Sequence, residues 1–146
     1  MRNNKAILFF LVNAIIPILI GLILYLFIKP DSYVSQLINK IVSVPSVSLQ
    51  YNNVLIYFIR FYLCDMLWAY SLTFTMYLIL VNDFGGMILC FLIAGVFSIF
   101  IELLQYFGIV SGTFDFFDVI AEMISIVLAL GIIKIFYWRK ENEKPN

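Results

Sequence analysis

Residues 6–28 read AILFFLVNAIIPILIGLILYLFI, a run without a single charged side chain. At about 1.5 Å of rise per residue, such a run can cross a hydrocarbon core of roughly 30 Å as one helix. It is longer than the apolar core of a usual signal peptide, and no small-residue cleavage site follows it, so we expect it to be retained. Pro17 is a candidate kink within it.

Three further apolar stretches resemble the first in length and composition. The predicted spans lie at about 6–28, 54–80, 87–107 and 118–137, with connections at 29–53, 81–86 and 108–117. In the first connection, the spacing of Val34, Leu37, Ile38 and Ile41 is compatible with a short interfacial helix. The sequence therefore predicts an all-α membrane protein with four transmembrane helices in one domain.

The composition supports this class and excludes others. Of the 146 residues, 64% are hydrophobic and only 12% are charged, which is more apolar than a soluble domain requires. Basic and acidic residues balance without a basic block, which argues against a nucleic-acid partner. Histidine is absent, which excludes Ser-His-Asp catalysis and imidazole metal sites. We predict no cofactor and no dedicated metal site, and we expect Cys64 and Cys90 to stay unpaired because they fall in different spans.

The basic residues predict the orientation. Six of the nine lie near the two ends of the chain, namely Arg2, Lys5, Lys134, Arg139, Lys140 and Lys144. Cytoplasmic segments are enriched in Lys and Arg, so both termini are predicted to be cytoplasmic. The connections at 29–53 and 108–117 are then external.

Ionisable side chains are costly in apolar segments and often mark function. With the predicted topology, such residues converge at the outer ends of the spans. The candidate pocket contains Arg60, Asp65, Glu102, Gln105, Asp115, Asp118 and Glu122. It holds five carboxylates against one cation, which favours a cationic or amine-bearing ligand, or a divalent cation bridging to phosphate.

Structural roles could also explain these residues. Glu102 and Gln105 share a helical face and could form an interhelical hydrogen-bond pair, while Asp115 suits a helix N-cap. Capping does not explain Asp118 and Glu122 together, because carboxylates four residues apart on a helix repel each other. Arg60 and Asp65 could be a buried charge pair, although five positions of a regular helix direct them to different faces.

These residues resemble those of a known family. Glu102-x-x-Gln105 and Gly112-Thr113-Phe114-Asp115-x-x-Asp118 are similar to the C-terminal signature of the VanZ-like bacterial membrane proteins. Arg60 with Asp65-x-x-Trp68-Ala69 resembles an earlier motif of small relatives, so the resemblance covers about residues 60–133. This chain departs from the family in three places. The basic residue that often precedes the acidic pair is missing at Ser111-Gly112-Thr113, and Glu122 stands where an uncharged polar residue is common. The Asp-Lys-x-x-His form of the earlier motif is also absent, because this chain has Asp65-Met66-Leu67-Trp68.

The resemblance implies a multi-pass protein of the bacterial cytoplasmic membrane that acts at its outer surface. The family's name-giving member is linked to low-level resistance to a lipid-bearing glycopeptide antibiotic. The expected ligand of the pocket is an envelope lipid, a cell-wall precursor or an amphipathic drug.

Two other functions remain open from the sequence. The first is an intramembrane enzyme, with Glu102 or Asp118 as general acid or base on a lipid or peptide substrate. The second is an oligomeric proton-coupled exporter, which is less expected because the acids lie on one side only. The sequence leaves open both catalysis and homo-oligomer formation.

Overall fold

The described residues of the computed structural model form four helices and no strand. The structure describes residues 4–28, 38, 40–41, 54–80, 84–110 and 114–142. The helices are α1 (Asn4–Ile28), α2 (Val54–Leu80), α3 (Phe84–Tyr106) and α4 (Phe116–Asn142). Within α2, a π-helical segment at Ile59–Leu63 separates the α-helical segments Val54–Phe58 and Cys64–Leu80.

All four helices are long and apolar enough to cross a membrane. The corresponding windows are Ala6–Leu24, Val54–Leu80, Gly86–Tyr106 and Phe116–Arg139. Large apolar side chains such as Leu8, Ile79 and Val96 are exposed on the outside of the bundle, where lipid rather than water suits them. The prediction of an all-α, four-span membrane protein is confirmed.

Helices α3 and α4 extend beyond their predicted spans at three of their ends. Helix α3 begins at Phe84, so residues 84–86 belong to the helix and not to the predicted turn. The glycines at 85 and 86 suggested a turn, but the apolar run that follows extends the helix over them, as tertiary context often overrides propensity. Helix α4 begins at Phe116 rather than Asp118 and continues past Tyr137 to Asn142.

Little of the 29–53 connection is described. The backbone N–H of Ile41 donates to the Ile38 carbonyl at 2.9 Å, which forms one turn. The remainder of the predicted interfacial helix lies outside the described residues.

Helix α2 is the centre of the bundle. It packs against α1, α3 and α4, whereas the backbone of α1 packs only against α2 among the described helices. Successive helices run antiparallel, so the start of α2, the end of α3 and the start of α4 meet at one end of the bundle. We call this the carboxylate end, and the opposite end, where α1 begins and α4 finishes, the termini end.

The termini end is filled by aromatic and aliphatic side chains. Phe10, Phe74, Cys90 and Ile133 are fully buried there, and Phe9 stacks on Phe136 with ring centroids 4.2 Å apart. Towards the middle of the bundle, Ala69, Ala94 and Ile126 form a second buried group. Close van der Waals packing of this kind drives helix association in lipid.

Trp68 and the two cysteines take part in the packing of the bundle. Trp68 packs beside the middle group with the centroid of its ring 5.5 Å from that of Phe97. Cys64 and Cys90 are both buried, and no disulfide joins them within the described residues.

Polar contacts join α1 to α2. The Tyr70 hydroxyl donates to Asn13 Oδ1 at 2.8 Å, and Asn13 Nδ2 donates to the Phe9 carbonyl at 2.8 Å. Helix α1 continues through Pro17. Asn13 is four residues before Pro17, so its own carbonyl lacks the usual helical N–H partner.

Candidate functional site

Helix α3 is ended by Gly108. This residue has φ +68°, a conformation that costs glycine little and L side chains much. The N–H groups of Phe107 and Ile109 donate back to the carbonyls of Leu103 and Leu104, which satisfies the last turn of the helix. The chain therefore leaves α3 within one turn of Gln105 and within two turns of Glu102.

Asp115 caps the start of α4. Its Oδ1 accepts the Phe117 backbone N–H at 2.9 Å, and its carbonyl accepts the Asp118 N–H at 3.1 Å. The capping role that the sequence left open is therefore present. Capping is not the only contact of Asp115, however, since its own backbone N–H donates to Glu102 Oε2 at 3.2 Å.

Carboxylates from three helices gather at this end. We define the carboxylate cluster as Asp65 of α2, Glu102 of α3, and Asp115, Asp118 and Glu122 at the start of α4. Glu122 is close enough to Asp65, Glu102 and Asp118 to be repelled by them. Glu102 is similarly close to Asp65 and Asp115.

Two members of the cluster are deeply buried. Glu102 is 4% exposed and Glu122 is 5% exposed. Glu102 accepts the Asp115 N–H, but Glu122 Oε2 accepts no hydrogen bond from any residue that the structure describes. A buried acceptor without a donor is destabilising, and like charges beside it increase that cost.

The other predicted pocket residues have different surroundings. Asp65 and Asp118 are half-buried, and both engage in further polar interactions. Gln105 is half-buried at the end of α3, and within the described residues its amide makes no hydrogen bond to the cluster. The structure therefore brings together the five predicted carboxylates, while Gln105 lies beside them.

Arg60 lies in the π-helical segment Ile59–Leu63 of α2. Its side chain is outside the described parts of the chain. A π turn holds more residues than an α turn, so regular α-helical spacing does not apply between Arg60 and Asp65. The expectation that Arg60 and Asp65 point to different faces assumed regular α-helical spacing, so it no longer follows.

Aromatic side chains lie with the cluster at the carboxylate end, and we call the exposed surface that they form the mouth. The Tyr62 side chain hydrogen-bonds to Tyr57 and lies near the carboxylates of Asp115 and Asp118. Exposed rings also flank the mouth, from α2 and from the connection between α3 and α4. They include Tyr57, Phe58, Tyr106, Phe107, Phe114, Phe116 and Phe117. Tyrosine is typical of the level where lipid meets water, so this end lies near a membrane surface.

Sequence reasoning missed the small hydroxyl residues below the cluster. Ser98 lies four positions before Glu102 on α3, and Ser125 lies three positions after Glu122 on α4. The Ser125 hydroxyl donates to the Met66 carbonyl of α2, whereas the buried Ser98 hydroxyl has no partner among the described residues. The sequence did contain a signal for these residues, because each serine lies about one helical turn from a glutamate.

The described side chains do not form a metal site. No group of three or more His, Cys, Asp or Glu within the described ranges is arranged to hold a metal ion.

No protein-family model matches this sequence, and no match was found among curated proteins or solved structures.

Proposed function

We propose that this protein binds a cationic or amine-bearing amphiphile at the carboxylate end of the bundle. The observation that carries the proposal is Glu122, whose buried Oε2 lacks a donor among the described residues and whose neighbours Asp65, Glu102 and Asp118 are acidic. A bound cation would supply both a donor and the missing positive charge. The position of the cluster near a membrane surface suits a ligand with a charged head and an apolar tail.

The proposed ligand is an envelope lipid, a cell-wall precursor or an amphipathic drug, and we propose that the chain is a VanZ-like protein. The two parts of the motif that suggested this relationship are Glu102-x-x-Gln105 and Asp115-x-x-Asp118. The hydrogen bond between the Asp115 N–H and Glu102 supports treating them as one unit. A glycopeptide-resistance-like role would follow if the amphiphile were such an antibiotic.

We further propose that the carboxylate end faces outward from a bacterial cytoplasmic membrane, with both termini cytoplasmic. The basic residues near the chain ends support this orientation. An external site would meet envelope lipids, precursors and drugs without any transport step.

The test is retention of dodecylamine by protein purified in a neutral detergent, compared with retention of dodecan-1-ol, which has the same tail without the charge. We expect the wild-type protein to retain the amine more strongly. The combined variant Glu102→Gln, Asp118→Asn and Glu122→Gln should lose this preference, because it removes charge while preserving size. Native mass spectrometry of gently extracted protein would then identify the lipid that co-purifies.

Glu141→Gln is the matched control, since Glu141 lies in the same helix α4 at the termini end. It should leave the preference unchanged. Equal retention of amine and alcohol by the wild-type protein would contradict the proposal. The enzyme alternative would be favoured by a different result. In that case the wild-type protein would turn over an added lipid or peptide substrate, and the variants would bind normally without turning it over.

A further inference from the structure

We propose that the ligand's charged group is an ammonium that still carries N–H donors, such as a primary alkylammonium, and that Glu122 receives its hydrogen bond. This inference rests on the proposed function and specifies the chemistry of the ligand.

The first argument concerns hydrogen bonding. Within the described residues, Glu102 Oε2 is occupied by the Asp115 N–H, but Glu122 Oε2 has no donor. A primary ammonium offers three N–H donors, whereas a quaternary ammonium offers none. Only the former supplies the hydrogen bond that the buried Glu122 lacks.

The second argument concerns depth. Asp118 and Glu122 are separated by about one helical turn, roughly 6 Å along α4. Glu122 is 5% exposed, so a ligand head group must enter the packed interior of the bundle to reach it. A slender ammonium on an unbranched alkyl chain can do so more readily than a trimethylammonium group, which is wider.

The third argument concerns the aromatic rings. Cation–π contacts could favour a methylated ammonium, and Tyr57 and Phe58 are present near the mouth. Both rings are exposed at the surface, whereas the unsatisfied acceptor is buried beneath it. We therefore infer that the rings contact the tail or the membrane and that Glu122 selects the head group.

The experiment uses the full-length protein in neutral detergent and a methylation series on one tail. The probes are dodecylamine, N-methyldodecylamine, N,N-dimethyldodecylamine and dodecyltrimethylammonium, compared at a pH where the three amines are protonated. Affinity should fall most at the last methylation, because protonated N,N-dimethyldodecylamine still carries one N–H donor and dodecyltrimethylammonium carries none. Dodecylamine should bind about tenfold or more tightly than the trimethylammonium compound, as expected for one charge-assisted hydrogen bond.

The wild-type series decides the question without any variant. Equal binding across the series, or tighter binding with methylation, would overturn the inference while leaving the proposed function in place. If no member bound better than dodecan-1-ol, the proposed function itself would fail.

A variant then tests the assignment to Glu122. Glu122→Gln should flatten the methylation series, whereas Glu141→Gln should preserve it. A Glu122→Gln protein that melts normally and retains the wild-type series would show that another carboxylate selects the head group.

Discussion

The backbone N–H of Asp115 donates to Glu102 Oε2 across 3.2 Å and fastens the start of α4 to the end of α3. The bond uses the main chain of Asp115, which leaves the Asp115 side chain to cap α4 through the Phe117 N–H. One residue thus makes two separable contacts. A side-chain substitution can remove the cap without removing the tie to Glu102.

Asp115→Asn and Asp115→Ala should therefore behave differently. Asn caps a helix about as well as Asp, so the stability of the Asp115→Asn variant should match that of the wild-type protein. Ala removes the cap and should cost about 0.5–2 kcal/mol. Reversible unfolding in mixed micelles measures both. An equal loss for the two variants would show that the carboxylate charge, rather than the cap, stabilises this end.

Asn13 and Tyr70 should show energetic coupling between α1 and α2. Tyr70→Phe removes the hydroxyl that donates to Asn13 Oδ1, and Asn13→Leu removes the acceptor. A double-mutant cycle should give a coupling of about 0.6 kcal/mol, and at most about 1.7, as for other hydrogen bonds between membrane helices. Strictly additive effects of the two substitutions would show that the pair contributes no stability.

Gly95 should tolerate a larger side chain less well than Gly131. A Cβ at Gly95 would lie 2.9 Å from Cε of Met123, whereas a Cβ at Gly131 would meet nothing within 4 Å. Gly95→Ala requires only the flexible end of Met123 to move and should be nearly neutral. Gly95→Leu should destabilise the protein by about 1–3 kcal/mol through overpacking.

Gly131→Leu is the control and should have a much smaller effect. Met123→Ala should partly rescue Gly95→Leu, because it empties the space that the new side chain needs. Thermal unfolding in detergent measures the whole set. If Met123→Ala did not rescue Gly95→Leu, the new side chain would clash with a residue other than Met123.

The proposed orientation can be tested by labelling single cysteines in a background where Cys64 and Cys90 are replaced by Ala. Ser43→Cys should react with an impermeant maleimide from outside intact cells, and Asn142→Cys only after permeabilisation. The reverse labelling pattern would show that the carboxylate end faces the cytoplasm, and it would exclude an external ligand.

The spans were predictable because hydropathy over about twenty residues is a strong signal. The gathering of Asp65, Glu102 and Asp118 was also predictable, since alternating helices bring their ends together. The π-helical segment Ile59–Leu63 was not predictable, because it depends on packing rather than on composition. Only the structure distinguishes the two buried glutamates. Glu102 accepts a hydrogen bond, whereas Glu122 Oε2 has no donor within the described residues. Such detail depends on rotamers and on backbone groups that a sequence pattern does not reveal.

The arrangement of α1, whose backbone packs only against α2 among the described helices, has a consequence for biogenesis. These two helices leave the ribosome before α3 and α4, and their mutual contacts can form before Phe9 stacks on Phe136 of α4. We expect them to associate as a hairpin while α3 is still being inserted. Glu102 and Glu122 lie in the last turns of α3 and the first turns of α4, so they reach the carboxylate end only when these two helices are inserted. The acidic site would then be assembled last, when α4 docks onto a hairpin that is already in place.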